Sequence, residues 1–503
     1  MRSSPVAYLE NIRSRWAVFT AGILAVFVGA GSVASPKLVV ASAVVLVFAA
    51  VAARSLPAGL AGFTILIFFG SIPGLGSSGL IKAAGGVLTV IWLAGAMSAR
   101  RDRASLVRDH PILASTAILL LGWTFSSALW AVDPGRAGLT ALRLSQSVVL
   151  FFVVFAAIQN RTHLRWIVSA FIAGAVVSAL VGLAGVTSPE ASNASGPAVA
   201  RLTGGIGDPN ELAASLVPAL GFVVFMLAAS RTILARWLLL GCAGVLALAL
   251  LRTESRGGIV ALSVMLIATV LFAGPARLRI ITAIMATAAV AIFFFLATGP
   301  PPGVGRLTEF RAGGGSGRTD LWAVALQITH DHPLAGVGAG NFPVVEPDYA
   351  IRNINLPRAD LIVDVADVTH NTYLQLLSEL GVVGLALFSA LILGAIAAAV
   401  RAVRKFADAG DSEMEMLSRG LVIGTVGMLG AFVFLSAQYE KPLPLVLGTL
   451  VALSTVAQVH QTRQLRPREH ESWQSMRPAI VAEDSLRAEH RVVDLGRLPS
   501  TEF

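Results

Sequence analysis

Residues 233–274 read ILARWLLLGCAGVLALALLRTESRGGIVALSVMLIATVLFAG. Two apolar stretches, 233–251 and 257–274, flank a short polar interruption from Arg252 to Arg256. A helix that crosses a bilayer needs about 20 mostly apolar residues, and a chain inside hydrocarbon must satisfy its backbone polar groups internally. The segment is therefore a pair of membrane-spanning helices joined by a tight, charged turn.

The rest of the chain repeats this pattern. Of its 503 residues 55% are hydrophobic and only 13% are charged, about half the charge of a soluble domain, so most of the surface faces something other than water. The net charge of +9 would suggest nucleic acid in a soluble protein. Here the basic residues lie between apolar stretches, where they orient helices, and no nucleic-acid partner is expected. The single cysteine, Cys242, sits within an apolar run and excludes an internal disulfide or a cysteine-rich metal site.

Hydropathy gives about fourteen candidate spans: 16–33, 38–53, 57–73, 83–99, 112–131, 139–158, 165–186, 211–229, 233–251, 257–274, 279–298, 380–400, 420–437 and 442–459. The first is read as an uncleaved helix, because no small-residue cleavage site follows it. The expected fold class is an all-α polytopic membrane protein with about 12–14 transmembrane helices and one long extracytoplasmic loop. Its parts are N-terminal helices (1–110), central helices (111–298) with exterior turns at 187–210 and 252–256, a long loop (299–379), C-terminal helices (380–459), and a polar tail (460–503) expected to be disordered.

Short cytoplasmic loops are enriched in Lys and Arg. With the N-terminus inside, Arg13, Arg15, Arg54, Arg100, Arg101, Arg103, Arg108, Arg161, Arg165, Arg231, Arg236, Arg277, Arg279, Arg401, Arg404 and Lys405 all fall on the cytoplasmic side. Both termini are then cytoplasmic. The 74–82 segment, the Asp133-Pro134-Gly135 turn, 187–210, 252–256 and 299–379 lie outside.

The long loop opens on Pro300, Pro301, Pro302 and Gly303 and contains the run RAGGGSG. Leu321, Val324, Ala325 and Ile328 then recur at helical spacing in RTDLWAVALQITHDHP, a helix closed by His332 and Pro333 and followed by the glycine-rich turn GVGAGNF. Loops of this length are unusual and often functional, and this one is the candidate lid or reaction floor.

Four exterior features carry ionisable chemistry. Arg201 precedes Asp208-Pro209-Asn210, a helix start that Asp208 or Asn210 caps. Arg252, Glu254 and Arg256 crowd one turn, where the arginines suit a pyrophosphate through bidentate donors that cannot lose their charge; Glu254 pairing with Arg252 is the structural alternative. Arg318, Asp320 and Trp322 lead into His330 and His332, whose two-residue spacing puts the rings on different helix faces and gives no metal signature. His370 lies before an apolar helix and after Asp360, Asp364 and Asp367, placed to take a proton from a hydroxyl. Tyr373 and Gln375 are candidates to line the same cavity, and Glu379 to cap or pair.

RLTGGIGDPNELA at 201–213, TESRGGIVAL at 253–262, and GRTDLWAVALQITHDHPLAGVGAGNF with THNTYLQLLSELGVVGLALF between 317 and 388 together resemble the O-antigen ligase and polymerase superfamily of bacterial surface-polysaccharide assembly. The resemblance covers roughly 110–440. It implies transfer of a glycan from an undecaprenyl-pyrophosphate carrier to an acceptor hydroxyl, inverting and metal-independent, at the outer face of the bacterial cytoplasmic membrane. His370, Arg256 and Arg201 would be catalytic, with Arg318, Arg252, Asn210 and Tyr373 binding pyrophosphate or acceptor; no cofactor and no metal are expected. Implied partners are the lipid-linked donor, a lipid A core or another glycan or protein acceptor, membrane lipids, and other polysaccharide-assembly proteins. Ligase, repeat-unit polymerase and protein glycosylation remain open. From another class, a lipid-linked glycan transporter or flippase would place polar residues near the midplane of repeated halves, a pattern the sequence lacks.

Overall fold

The computed structural model describes residues 36–71, 78–97, 105–186, 190–191, 200–274, 277–298, 318–352, 356 and 367–458. The expected first span at 16–33, the Pro300–Gly303 opening, the RAGGGSG run, Asp360, Asp364 and the 460–503 tail lie outside the described residues.

The chain builds an all-α polytopic bundle. Its helices are α1 Pro36–Arg54, α2 Leu56–Leu66, α3 Ser78–Met97, α4 Leu106–Asp109, α5 Pro111–Ser126, α6 Pro134–Ala157, α7 Arg161–Leu183, α8 Pro209–Ala229, α9 Ile233–Arg252 and α10 Arg256–Phe272. They continue as α11 Arg277–Thr298, α12 Arg318–Asp331, α13 Phe342–Arg352, α14 Thr372–Asp408, α15 Ser412–Ala431 and α16 Pro442–Gln458. A two-residue antiparallel ladder joins Glu190–Ala191 to Ala200–Arg201. Among the described residues seven helices are long and apolar enough to cross a membrane, and four shorter apolar helices accompany them.

At the centre, α8 packs most extensively on α15. Glycines make the contact close. A Cβ on Gly424 would stand 3.0 Å from the Pro218 Cα, and one on Gly221 would stand 3.1 Å from the Gly424 Cα. Gly420 and Gly427 likewise meet Phe225 and Val217. Small residues three or four apart let two backbones approach without a hydrophobic driving force between them, as membrane helices require.

Turns segregate to the two ends of the bundle. At one end, Arg161 pairs with Asp411 and Arg165 with Glu413 at 2.7 Å, and Arg419 donates to the Phe272 carbonyl at 2.6 Å. At the other, Leu202 N–H donates to the Arg252 carbonyl, Asp133 N–H to the Asn341 side chain, and Thr372 N–H to the Phe432 carbonyl. The 201–210, 252–256 and 336–341 segments share an end, opposite Arg161 and Arg165.

The expected helix in the long loop is α12, and Leu321, Val324, Ala325 and Ile328 are its buried face. α14, however, begins at Thr372 rather than near 380, because its polar first turns are stabilised by partners distant in sequence. It also contains a break at Gly381, whose φ of 67° only glycine adopts readily. The backbone groups freed there are taken up. Val337 and Gly338 N–H donate to the Ser378 and Glu379 carbonyls, the Trp123 indole donates to the Leu380 carbonyl, and Val382 N–H donates to the Pro333 carbonyl. Irregular backbone survives in a membrane helix when protein groups satisfy it in this way.

Candidate functional site

Asp208 caps α8, its carboxylate accepting from Asn210 N–H at 2.7 Å and Glu211 N–H at 2.8 Å. Asn210 is left with a different task. Its side-chain oxygen accepts from Arg201 Nη2 at 3.0 Å and from Ser255 Oγ at 2.9 Å, while Arg201 Nε donates to the Thr253 carbonyl at 3.1 Å. Arg201 is thereby fixed against the α9–α10 turn. Arg252 ends α9 and contributes its backbone carbonyl to Leu202.

That turn is buried at Thr253, Glu254 and Ser255. Ser255 caps α10 by accepting from Gly258 N–H, which places Arg256 in the first helical position, where the helix dipole adds to its positive charge. Glu254 has a φ of 49° and a buried Oε2 that accepts no hydrogen bond. Gly257 lets the turn approach Phe434, to whose Cβ a Cβ at 257 would come within 3.0 Å.

Arg318 opens α12 from the other side. Burial lowers the pKa of its guanidinium and so do the charges of Arg201 and Arg256, against Asp208 and Asp367. The direction is informative: cations close enough to repel, in a partly desolvated place, form a site that an anion relieves. Trp322, one turn along, donates its indole N–H to the Thr369 carbonyl at 3.0 Å and packs against Phe434 with ring centroids 5.8 Å apart and the planes tilted by 49°. The arginine cluster is thus tied to the segment carrying His370.

His370 has a φ of 49°. It and Glu254 are the two non-glycine residues with positive φ among the described residues, and both lie at this end of the bundle; such strain persists only where the surroundings fix it. Thr369 N–H and Oγ–H both donate to Gln375 Oε1 at 2.9 Å, and the Gln375 amide donates to Glu379. Glu379 in turn accepts from Gly340 N–H at 2.7 Å, and Asn371 caps α14. The His370 imidazole is partly exposed, with Nε2 3.0 Å from Asp367 Oδ2. Partial burial opposes ionisation of Asp367, but the His370 hydrogen bond and charge, the Val368 N–H and Arg318 hold its pKa below the usual value.

Arg201, Asn210, Arg256, Arg318 and His370 therefore belong to one polar region. Tyr373 faces away, its hydroxyl donating to the Leu429 carbonyl at 2.8 Å. His330 is exposed and pairs with Asp331. Among the described residues no group of three or more His, Cys, Asp and Glu could hold a metal ion. The sequence signals neither the Asp367–His370 pair nor the link from Thr369 to Glu379, since both depend on how a long loop folds back.

Glu346 on α13 is a further group that spacing does not reveal. It is fully buried, neither carboxylate oxygen accepts a hydrogen bond, and burial together with the charge of Asp367 pushes its pKa up to about 7. A raised carboxylate pKa favours the folded state fully below the unfolded value of about 4.3, and this contribution is lost as pH rises through 7. Glu346→Gln, which cannot ionise, is expected to melt a few degrees above the parent at pH 8 and close to it at pH 5. Thermal unfolding in detergent at the two pH values measures this; equal shifts at both would show that ionisation of Glu346 is not the cause.

Residues 241–389 match the family model described as O-Antigen ligase. The match runs from within α9 to within α14 and contains Arg256, Arg318 and His370, with Arg201 and Asn210 preceding it. No curated protein matches the chain.

Proposed function

We propose, with the membership of the O-antigen ligase superfamily that this match supports as the premise, that the chain transfers a glycan from an undecaprenyl-pyrophosphate carrier to an acceptor hydroxyl. The reaction takes place on the extracytoplasmic face of the bacterial cytoplasmic membrane. The carrying observation is that the Arg201–Asn210–Ser255 corner and the start of α10 pack through Gly257 and Phe434 on Trp322 of α12, which opens on Arg318 and is bonded to the turn carrying the His370–Asp367 pair.

The chemistry asks for two things. Negative charge develops on the pyrophosphate oxygen as the bond to the anomeric carbon breaks, and fixed guanidinium groups in a partly dry site stabilise it without reorganising. The acceptor hydroxyl must lose its proton as its oxygen bonds to the same carbon. In the neutral tautomer that donates Nε2–H to Asp367, His370 keeps a lone pair on Nδ1 to receive that proton, and Asp367 stabilises the imidazolium that forms. Undecaprenyl pyrophosphate leaves from the face opposite the incoming oxygen, so the configuration inverts. Arg252 and Asn210 support the donor side.

Of the three acceptor classes we adopt the ligase reading, with a lipid A core as acceptor. The test is reconstitution of the full chain in proteoliposomes with a lipid-linked oligosaccharide and, separately, lipid A core, a second lipid-linked repeat, or protein. Glycan appearing on the lipid A core supports the ligase. Elongation of the lipid-linked repeat replaces it with a polymerase, and no transfer to any acceptor overturns the transferase reading.

A further inference from the structure

The left-handed backbone of His370, with φ at 49°, is costly and persists because its neighbours are held. On the N-terminal side every polar group of Thr369 is engaged. Its N–H donates to Gln375 Oε1 at 2.9 Å, its carbonyl accepts from the Trp322 indole at 3.0 Å, and its Oγ accepts from Asn371 N–H at 3.2 Å. On the C-terminal side Asn371 caps α14, and Thr372 N–H donates to the Phe432 and Leu435 carbonyls.

Gln375 can serve Thr369 in one orientation only. Its Oε1 faces the Thr369 N–H, with the Thr369 hydroxyl at 2.9 Å and the Ser436 hydroxyl at 3.2 Å; turned over, the amide would set its NH2 against a backbone N–H. Glu379 makes the choice. It lies one turn along α14, fully buried, where Oε1 accepts from Gln375 Nε2 and Oε2 accepts from Gly340 N–H at 2.7 Å. A carboxylate offers acceptors at both ends, so the amino group of Gln375 turns toward it and the oxygen toward Thr369. The Gly340 end is anchored outside α14. Ala339 N–H donates to Ser127 Oγ at 3.0 Å, and the Asn341 side chain exchanges hydrogen bonds with both backbone groups of Asp133, at 2.6 and 3.1 Å.

We infer that Glu379 is a positioning residue for His370: through Gln375 it fixes the polarity of a buried relay that holds the Thr369–His370 backbone and so aims the imidazole. That this alignment serves catalysis rests on the transferase reading, whereas the hold on the turn does not. Polarity, rather than shape, decides the outcome of substitution. Glu379→Gln keeps the volume, but wherever the two amides then turn, one buried donor faces another donor. Gln375→Glu alone sets two carboxylates face to face. Together the two changes restore the match: the carboxylate at 375 accepts from Thr369 and Ser436, and the amide at 379 donates to that carboxylate and accepts from Gly340 N–H.

Amide hydrogen exchange at Thr369, measured on the full chain in nanodiscs, reads the relay without any substrate. Glu379→Gln is expected to speed it at least about tenfold, the effect of one unmatched buried donor, and the double variant Gln375→Glu with Glu379→Gln to return it to within about threefold of the parent. With the lipid-linked donor, kcat of Glu379→Gln is expected to fall about 10- to 100-fold at unchanged donor KM, because the arginines are untouched, and to recover in the double variant. A loss of packing alone would not be repaired by a second buried substitution, so the double variant carries the test even where the single one accumulates poorly. Parent-like exchange in Glu379→Gln overturns the proposal. So does a double variant that fails to accumulate or exchanges as fast as the single one, or a kcat that stays at the parent value while exchange rises. Protection lost and restored as expected, in a protein that transfers nothing, would overturn the transferase reading and leave the relay standing.

Discussion

Replacing His370 with Ala is expected to reduce glycan transfer by about 10²- to 10⁴-fold, the usual contribution of a positioned general base, while the protein accumulates in the membrane at its normal level. The imidazole is partly exposed and held through one ring nitrogen by Asp367, so its removal opens no core cavity. Its backbone is the concern, because φ is 49° and alanine tolerates that region poorly. His370→Asn resolves the point. Asparagine enters left-handed conformations readily but cannot take a proton near neutral pH, so it is expected to be as inactive as the alanine variant and to melt no lower than it. Turnover measured with the lipid-linked donor, together with thermal unfolding of each variant, checks both halves. An active asparagine variant would reduce His370 to a structural part of the turn.

Arg256→Lys is the second large effect, expected to lower kcat/KM for the lipid-pyrophosphate donor about 10- to 100-fold. Charge is conserved in this substitution and geometry is not. A guanidinium offers two parallel N–H donors to phosphate oxygens, whereas an ammonium is a strongly hydrated point charge, and losing one charge-assisted hydrogen bond costs about 1.5–3 kcal/mol. Arg256 stands at the N-terminus of α10, capped by Ser255 and braced by Gly257 against Phe434, so its starting point is rigid and a flexible lysine recovers little. Initial rates over a donor concentration series give the ratio. Parent-like kinetics would mean that Arg256 serves only to orient the end of its helix.

Much of this was legible in the sequence because it depends on local pattern. The apolar runs gave α5 to α11, the Asp208-Pro209 start gave the α8 cap, and the spacing of Leu321, Val324, Ala325 and Ile328 gave α12 with its correct buried face. Long-range geometry was not legible. The first turns of α14 carry Gln375, Ser378 and Glu379, which hydropathy assigns to a loop. They are helical because Thr369, Gly340, Val337 and Gly338 supply partners for these side chains and for the carbonyls freed at Gly381. Asp367 was one of several acids before His370, and only the folded turn selects it. Arg143 is a lone charge inside the apolar run 139–158, and hydropathy alone does not say what surrounds it.

The glycine seam between α8 and α15 sets the dimensions of this end of the protein. α8 starts at the Asp208–Asn210 corner that anchors Arg201, and α15 runs into the Phe432–Leu435 carbonyls that accept from Thr372, two residues past His370. With Gly221 and Gly424 in backbone contact, neither helix can slide along the other without collision. A shift of one turn, about 5.4 Å, would carry His370 away from the arginines. The middle of the bundle, remote from His370 and the arginines, thus acts as a fixed gauge between them, and under the transferase proposal substitutions there are expected to alter the alignment of the site without touching its residues.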